Sequence, residues 1–224
     1  STAIAMVSRN VTARIGAKSA DAPVGAIDVI SAGDVVVDAS AWGAIAPTAI
    51  AGGVKSAKNV YAPESRWDDD FYAAWKASRT TVDRVGIGAS GAVAIANVDD
   101  SVTATVNHGG TMKSSGTGKA SVAAANTSII LANTGGVTLR TAAGEEKVSA
   151  GLSGAVSLIL GSSSVEASVR RATIDGFSLD VAASNARSIG TVAVSGSGGA
   201  VGGASSFTVN FAGSVAINAL TTRT

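Results

Sequence analysis

Apolar and polar positions alternate along Val93-Ala94-Ile95-Ala96 and again along Val102-Thr103-Ala104-Thr105-Val106. A period of two is that of a β-strand with one face buried. It sets Val93 and Ile95 on one side of their strand. It sets Val102, Ala104 and Val106 inward, with Thr103 and Thr105 outward. The intervening Asn97-Val98-Asp99-Asp100-Ser101 has the composition of a turn. The pattern therefore predicts strand, turn, strand.

The same pattern recurs without gaps from Thr2, Val156 and Val215. In the copy that starts at Val156 the outward positions become Glu166 and Ser168, while Val165, Ala167 and Val169 keep the apolar face. A second motif, Gly33-Asp34-Val35-Val36-Val37-Asp38-Ala39-Ser40, resembles the stretches that begin at Gly136 and Gly176. From each of these glycines to the next first motif the intervals are 60, 20 and 39 residues (93−33, 156−136, 215−176). These are near multiples of a step of about 20 residues, a size usual for repeats. The expected fold is all-β: a parallel β-helix (β-solenoid) over residues 1–224, with about 20 residues per coil and roughly ten or eleven coils. Strand spacing makes that a rod about 50 Å long. Glycines suit its corners, where positive φ or close backbone approach is needed.

Residues 41–85 break the pattern. Tyr61, Trp67, Phe71, Tyr72 and Trp75 fall here, although the whole chain has only 3 Trp, 2 Tyr and 4 Phe. The spacing of Trp67, Phe71, Tyr72 and Trp75 is that of one helix face. Ser65 is a fitting N-cap, Asp68 to Asp70 suit a first turn, and Lys76 and Arg79 suit the other end. The stretch predicts an excursion from the solenoid with a short helix near 65–78. Its five aromatics either anchor the excursion or form a binding surface on a rigid scaffold.

Composition agrees with a narrow interior. The chain has 224 residues at 21.7 kDa, is rich in small residues with 27 Gly, and has 4% aromatic residues. A thin core lined by small side chains suits such a chain better than a thick one. Net charge is +1, which gives no electrostatic footprint for nucleic acid. No apolar run is long enough for a membrane-spanning helix.

Little in the sequence suggests chemistry. There is no Cys, and a single His, His108, expected in a solvated loop. Zinc sites built from several Cys or His are thereby excluded. Asp68-Asp69-Asp70 lacks the alternate ligand spacing and turn glycine of a calcium loop. Asp99-Asp100, with counterparts at Arg9-Asn10 and Ser162-Ser163, reads as turn composition. The run Gly196-Ser197-Gly198-Gly199-Ala200-Val201-Gly202-Gly203 lacks the Lys and Ser/Thr of a phosphate loop and reads as a corner. The expectation is a non-enzyme with no catalytic residues, no cofactor and no metal.

The stretch Gly86-Ile87-Gly88-Ala89-Ser90-Gly91-Ala92-Val93-Ala94-Ile95-Ala96-Asn97-Val98, followed by Val102-Thr103-Ala104-Thr105-Val106, carries a resemblance. Gly33 to Ser40 and Ala182-Ala183-Ser184-Asn185-Ala186 add to it. The chain resembles the leukotoxin-type and haemagglutinin-like filamentous adhesins, large secreted bacterial surface proteins. The resemblance covers most of the chain except residues 41–85. It implies export to the cell surface of a Gram-negative bacterium, a long β-helical shaft and a part in adhesion or aggregation. It brings no catalytic residues. The implied function is a structural shaft segment, with end-to-end solenoid neighbours in the same long chain or in identical subunits. A host-cell, cell-surface or polysaccharide ligand is a further possible partner. The alternatives are a self-assembling extracellular filament subunit and a polysaccharide-active β-helix enzyme.

Overall fold

The computed structural model describes residues 1–17, 27–56, 85–142, 148–176, 178–201 and 207–224. Those residues form an all-β structure of parallel sheets, with no helix among them. The strands are β1 (Thr2–Ile15), β2 (Ile27–Ser31), β3 (Val35–Ile45), β4 (Thr48–Ser56), β5 (Val85–Asn107) and β6 (Gly110–Ser114). They continue with β7 (Lys119–Ala142), β8 (Val148–Arg170), β9 (Thr173–Asp175), β10 (Ser178–Val201) and β11 (Phe207–Arg223). Sheet A has the order β1-β5-β8-β11, and the short sheet B the order β2-β6-β9. In sheet C, β7 lies between β10 on one side and β3 and β4 on the other. The chain visits A, B and C in turn three times and then returns to A.

The four copies of the first motif lie on one another residue for residue. Thr2 pairs with Val93, Val93 with Val156, and Val156 with Val215. One rung therefore takes 91, then 63, then 59 residues (93−2, 156−93, 215−156). This corrects the step of about 20 residues. What looked like multiples of a short coil is one wide rung, whose two long sides are strands of 23 and 24 residues in β5 and β7. At about 4.8 Å per rung the stack in sheet A is only about 14 Å from first strand to last.

The second motif is corrected as well. Val35 and Leu179 both pair with Ala120, so the Gly176 copy is displaced by one residue from the expected alignment. Gly136 belongs elsewhere on the rung, opposite Ala51 and Ser195. The run from Gly196 to Val201 is not a corner: it is strand, paired with Val137–Ala142.

No turn interrupts β5. Asn97 to Ser101 continue the strand, so the alternation runs unbroken and Ala92, Ala94, Ala96, Val98, Asp100, Val102, Ala104 and Val106 all point inward and are buried. Val102, Ala104 and Val106 are inward as expected. Val93 and Ile95 instead take the outer face, since a strand without a turn keeps one parity. The physical gain is packing: facing sheets can approach closely when alanine, not isoleucine, lies between them. The outer face then carries aliphatic ladders, such as Ile4, Ile95, Leu158 and Ile217 in register across four strands.

The interior changes character along the width of the rung. At the sheet B end, Val35, Val37, Val102, Val106, Met112, Val122 and Val165 form one aliphatic cluster. Farther along, Ala92, Ala94, Ala96, Val98, Ile130 and Ile159 form a second. Each fully buried Val or Ile contributes about 1.5–3 kcal/mol. Between the clusters, at Asp100 and Asn126, the inward positions are polar. Corners need glycine where expected: Gly16, Gly109 and Gly176 have positive φ. At Gly16 a Cβ would fall 1.7 Å from the carbonyl oxygen of Asn107.

Residues 41–45 and 48–56 of the expected excursion are strand in sheet C. The helix near 65–78 and the candidate surface Tyr61, Trp67, Phe71, Tyr72 and Trp75 lie outside the described residues.

Candidate functional site

The most chemically distinctive place among the described residues is the polar layer between the two aliphatic clusters. Sheet A contributes one inward column, Arg9, Asp100 and Ser163, on β1, β5 and β8. Sheet C contributes two, Asn126 with Asn185 and Ser128 with Arg187, on β7 and β10. Each side chain is there because strand parity turns every second residue inward, polar or not.

Asp100 is the centre. Its side chain is fully buried, and it accepts two hydrogen bonds from Arg9: Nε to Oδ1 and Nη2 to Oδ2, both 2.7 Å. Asn126 Nδ2 donates to Oδ2 at 3.1 Å and to Ser163 Oγ at 2.9 Å. Ser128 Oγ donates to Asn126 Oδ1 at 2.8 Å, and Arg9 Nη2 donates to Ser128 Oγ at 2.8 Å. Asn185 Nδ2 closes the set with a 3.0 Å bond to Ser163 Oγ. Buried polar groups are tolerated when joined in this way.

Burial pushes the Asp100 carboxyl up, but hydrogen bonds from Arg9 and Asn126 and the charges of Arg9 and Arg187 outweigh it. The carboxyl ends below the usual range and stays ionised. The Arg9 guanidinium is held above its ordinary value, chiefly by its hydrogen bond to Asp100. Arg187 goes the other way: burial lowers it, with Asp100 opposing. A carboxylate saturated by a bidentate arginine is a structural anchor rather than a proton acceptor.

The expectation for Asp99-Asp100 is therefore corrected. Asp99 faces outward, where its Oδ1 accepts from Ser162 Oγ at 2.9 Å, while Asp100 is buried. The pairing sets Ser8 against Asp99 and Arg9 against Asp100, one residue from the counterparts expected. A signal existed: the gap-free alignment of the copies from Thr2 and Val93 puts opposite charges at one position.

Beyond the second cluster the interior turns to hydroxyls. Thr138 Oγ1 donates to Ser90 Oγ at 2.6 Å, and Ser153 Oγ donates to the Gly136 carbonyl at 2.6 Å. Ser157 Oγ donates to the Ala132 carbonyl at 2.5 Å. His108 lies in the corner between sheets A and B, half-buried rather than solvated. Its backbone N–H donates to Arg170, and its carbonyl accepts from Ala17. Among the described residues no three His, Asp or Glu side chains converge, and no helix is long and apolar enough to cross a membrane.

Comparison of the chain with protein-family models, with curated proteins and with solved structures finds no match.

Proposed function

We propose that this chain is a segment of a β-solenoid shaft in a secreted bacterial filamentous adhesin or cell-surface fibre. The observation that carries the reading is the register. Four copies of one motif stack in parallel with no insertion inside the paired stretch, from Thr2, Val93, Val156 and Val215. A fold in which each rung repeats the one below can extend by adding rungs, and its stiffness comes from continuous ladders. The resemblance to filamentous adhesins supports export, a cell-surface place in a Gram-negative organism, and a part in adhesion or aggregation.

The test is localisation and attachment. Antibody raised to the chain should label fibres outside the producing cells. In-frame deletion of the segment should weaken attachment or aggregation. Label confined to the cytoplasm would overturn the reading.

A second reading, a self-assembling filament subunit, is favoured by one observation. Within the described residues β1, β2, β3 and β4 lie at one end of the stack and β9, β10 and β11 at the other, each with one edge unpaired. Such edges invite strand addition. Sedimentation of the purified chain separates the two readings: concentration-independent monomers eliminate self-assembly and leave the shaft segment standing.

A further inference from the structure

The charges enclosed between sheets A and C do not cancel. Two guanidiniums, Arg9 and Arg187, face one carboxylate, Asp100. Asp100 is already saturated by Arg9 and Asn126. Arg187 Nη2 comes only to 3.7 Å of Asp100 Oδ2, too far for a hydrogen bond. Its side chain is 3% exposed, and Nε, Nη1 and Nη2 have no acceptor among the described residues. The nearby acid Asp99 is on the outer side of β5 and is engaged with Ser162.

A guanidinium does not shed its proton to escape burial. An isolated buried charge costs several kcal/mol. A water molecule would satisfy donors but leave the excess charge. A carboxylate of this chain is not offered on the same rung: across from Arg187 on β10, β8 presents Ser163, and the sheet C column beside it reads Gly43 and Ser128. Small neutral neighbours and an unmatched planar donor set are the makings of an anion site.

We propose that a small monovalent anion of halide size is bound inside the stack against the Arg187 guanidinium. It would neutralise the node and complete the layer that separates the two aliphatic clusters.

The test uses the full chain at matched ionic strength. Sodium chloride or bromide should raise Tm by a few degrees over sodium gluconate, whose anion is too large to enter. Chloride-35 NMR should show line broadening by the protein that bromide competes away. The Arg187→Met substitution should abolish both effects. Equal Tm in the two salts together with no excess line width would mean that water alone fills the place, and would overturn the proposal. Broadening that survives Arg187→Met puts the halide elsewhere and overturns it equally. Should Arg187→Met not fold, the salt comparison and line width of the unsubstituted chain still decide.

Discussion

Arg9 and Asp100 are 91 residues apart in sequence and adjacent in space, joined by two 2.7 Å hydrogen bonds between neighbouring strands of sheet A. The pair fixes register. Sliding β1 along β5 by one residue would turn Arg9 out of the interior and leave Asp100 buried without its partner. The aliphatic columns on either side resist slippage less selectively, since alanine and valine replace one another along them. The ionic pair is thus the feature that picks one alignment among similar ones.

Removing the carboxylate should be costly. Asp100→Ala leaves Arg9 and Arg187 facing each other without compensation, and the expected loss is about 3–5 kcal/mol. Adding Arg187→Met to that variant should recover part of the loss, because one buried charge is then gone. Urea unfolding of the two single variants and the double variant measures the coupling. Strict additivity would show that Arg187 does not sense Asp100.

Stability should fall in acid through this same group. The folded-state pKa of Asp100 is below its unfolded value, so its contribution is present above the unfolded value, about 3.9. That contribution is lost as pH falls from there through the folded value. Urea midpoints measured from pH 6 downwards should drop below about pH 4. The Asp100→Asn variant should be less stable at neutral pH and show a flatter dependence. An equally steep profile in that variant would assign the acid sensitivity to other carboxylates.

Strand parity can be read by paired substitutions. Ala94 is fully buried between the sheets, so Ala94→Leu should overpack the interior and cost about 1–3 kcal/mol. Its neighbour Val93 is on the outer face, so Val93→Thr should cost less than about 1 kcal/mol. Ile159→Ala, at a buried position of the second cluster, should cost about 2–5 kcal/mol. Thermal unfolding would rank the three. A larger effect at Val93 than at Ala94 would reverse the assigned faces.

Two glycines should behave oppositely. Gly16 has φ of 95° and a Cβ there would meet the Asn107 carbonyl, so Gly16→Ala should destabilise by about 1–3 kcal/mol. Gly154 has open space where a Cβ would go, so Gly154→Ala should stabilise by about 0.4–1 kcal/mol through the unfolded chain. Comparing their Tm values with that of the unsubstituted chain checks both signs.

How much of this was legible in the sequence differs from residue to residue. The gap-free likeness of the segments at Thr2, Val93, Val156 and Val215 foretold the pairing of sheet A. It did so because parallel strands in one column share neighbours and so share residue types. The inward place of Val102, Ala104 and Val106 was legible for the same reason. Asn97 to Ser101 misled, because turn composition and an inward polar layer use the same residues: Asn, Asp and Ser. Local composition cannot tell a turn from a strand that carries its polar groups into a network.

The sequence by itself determined that the protein is all-β, parallel and built of stacked copies, since periodicity two and copy-to-copy likeness are properties of the chain alone. Only the tertiary structure decided the size of the rung, the face taken by Val93 and Ile95, and the burial of Asp100. Each of these depends on what lies across the interior: β7 opposite β5, alanines letting the sheets approach, and Asn126, Ser128 and Arg187 meeting Asp100 and Arg9. Partners supplied by another sheet leave no trace in the spacing of a single strand.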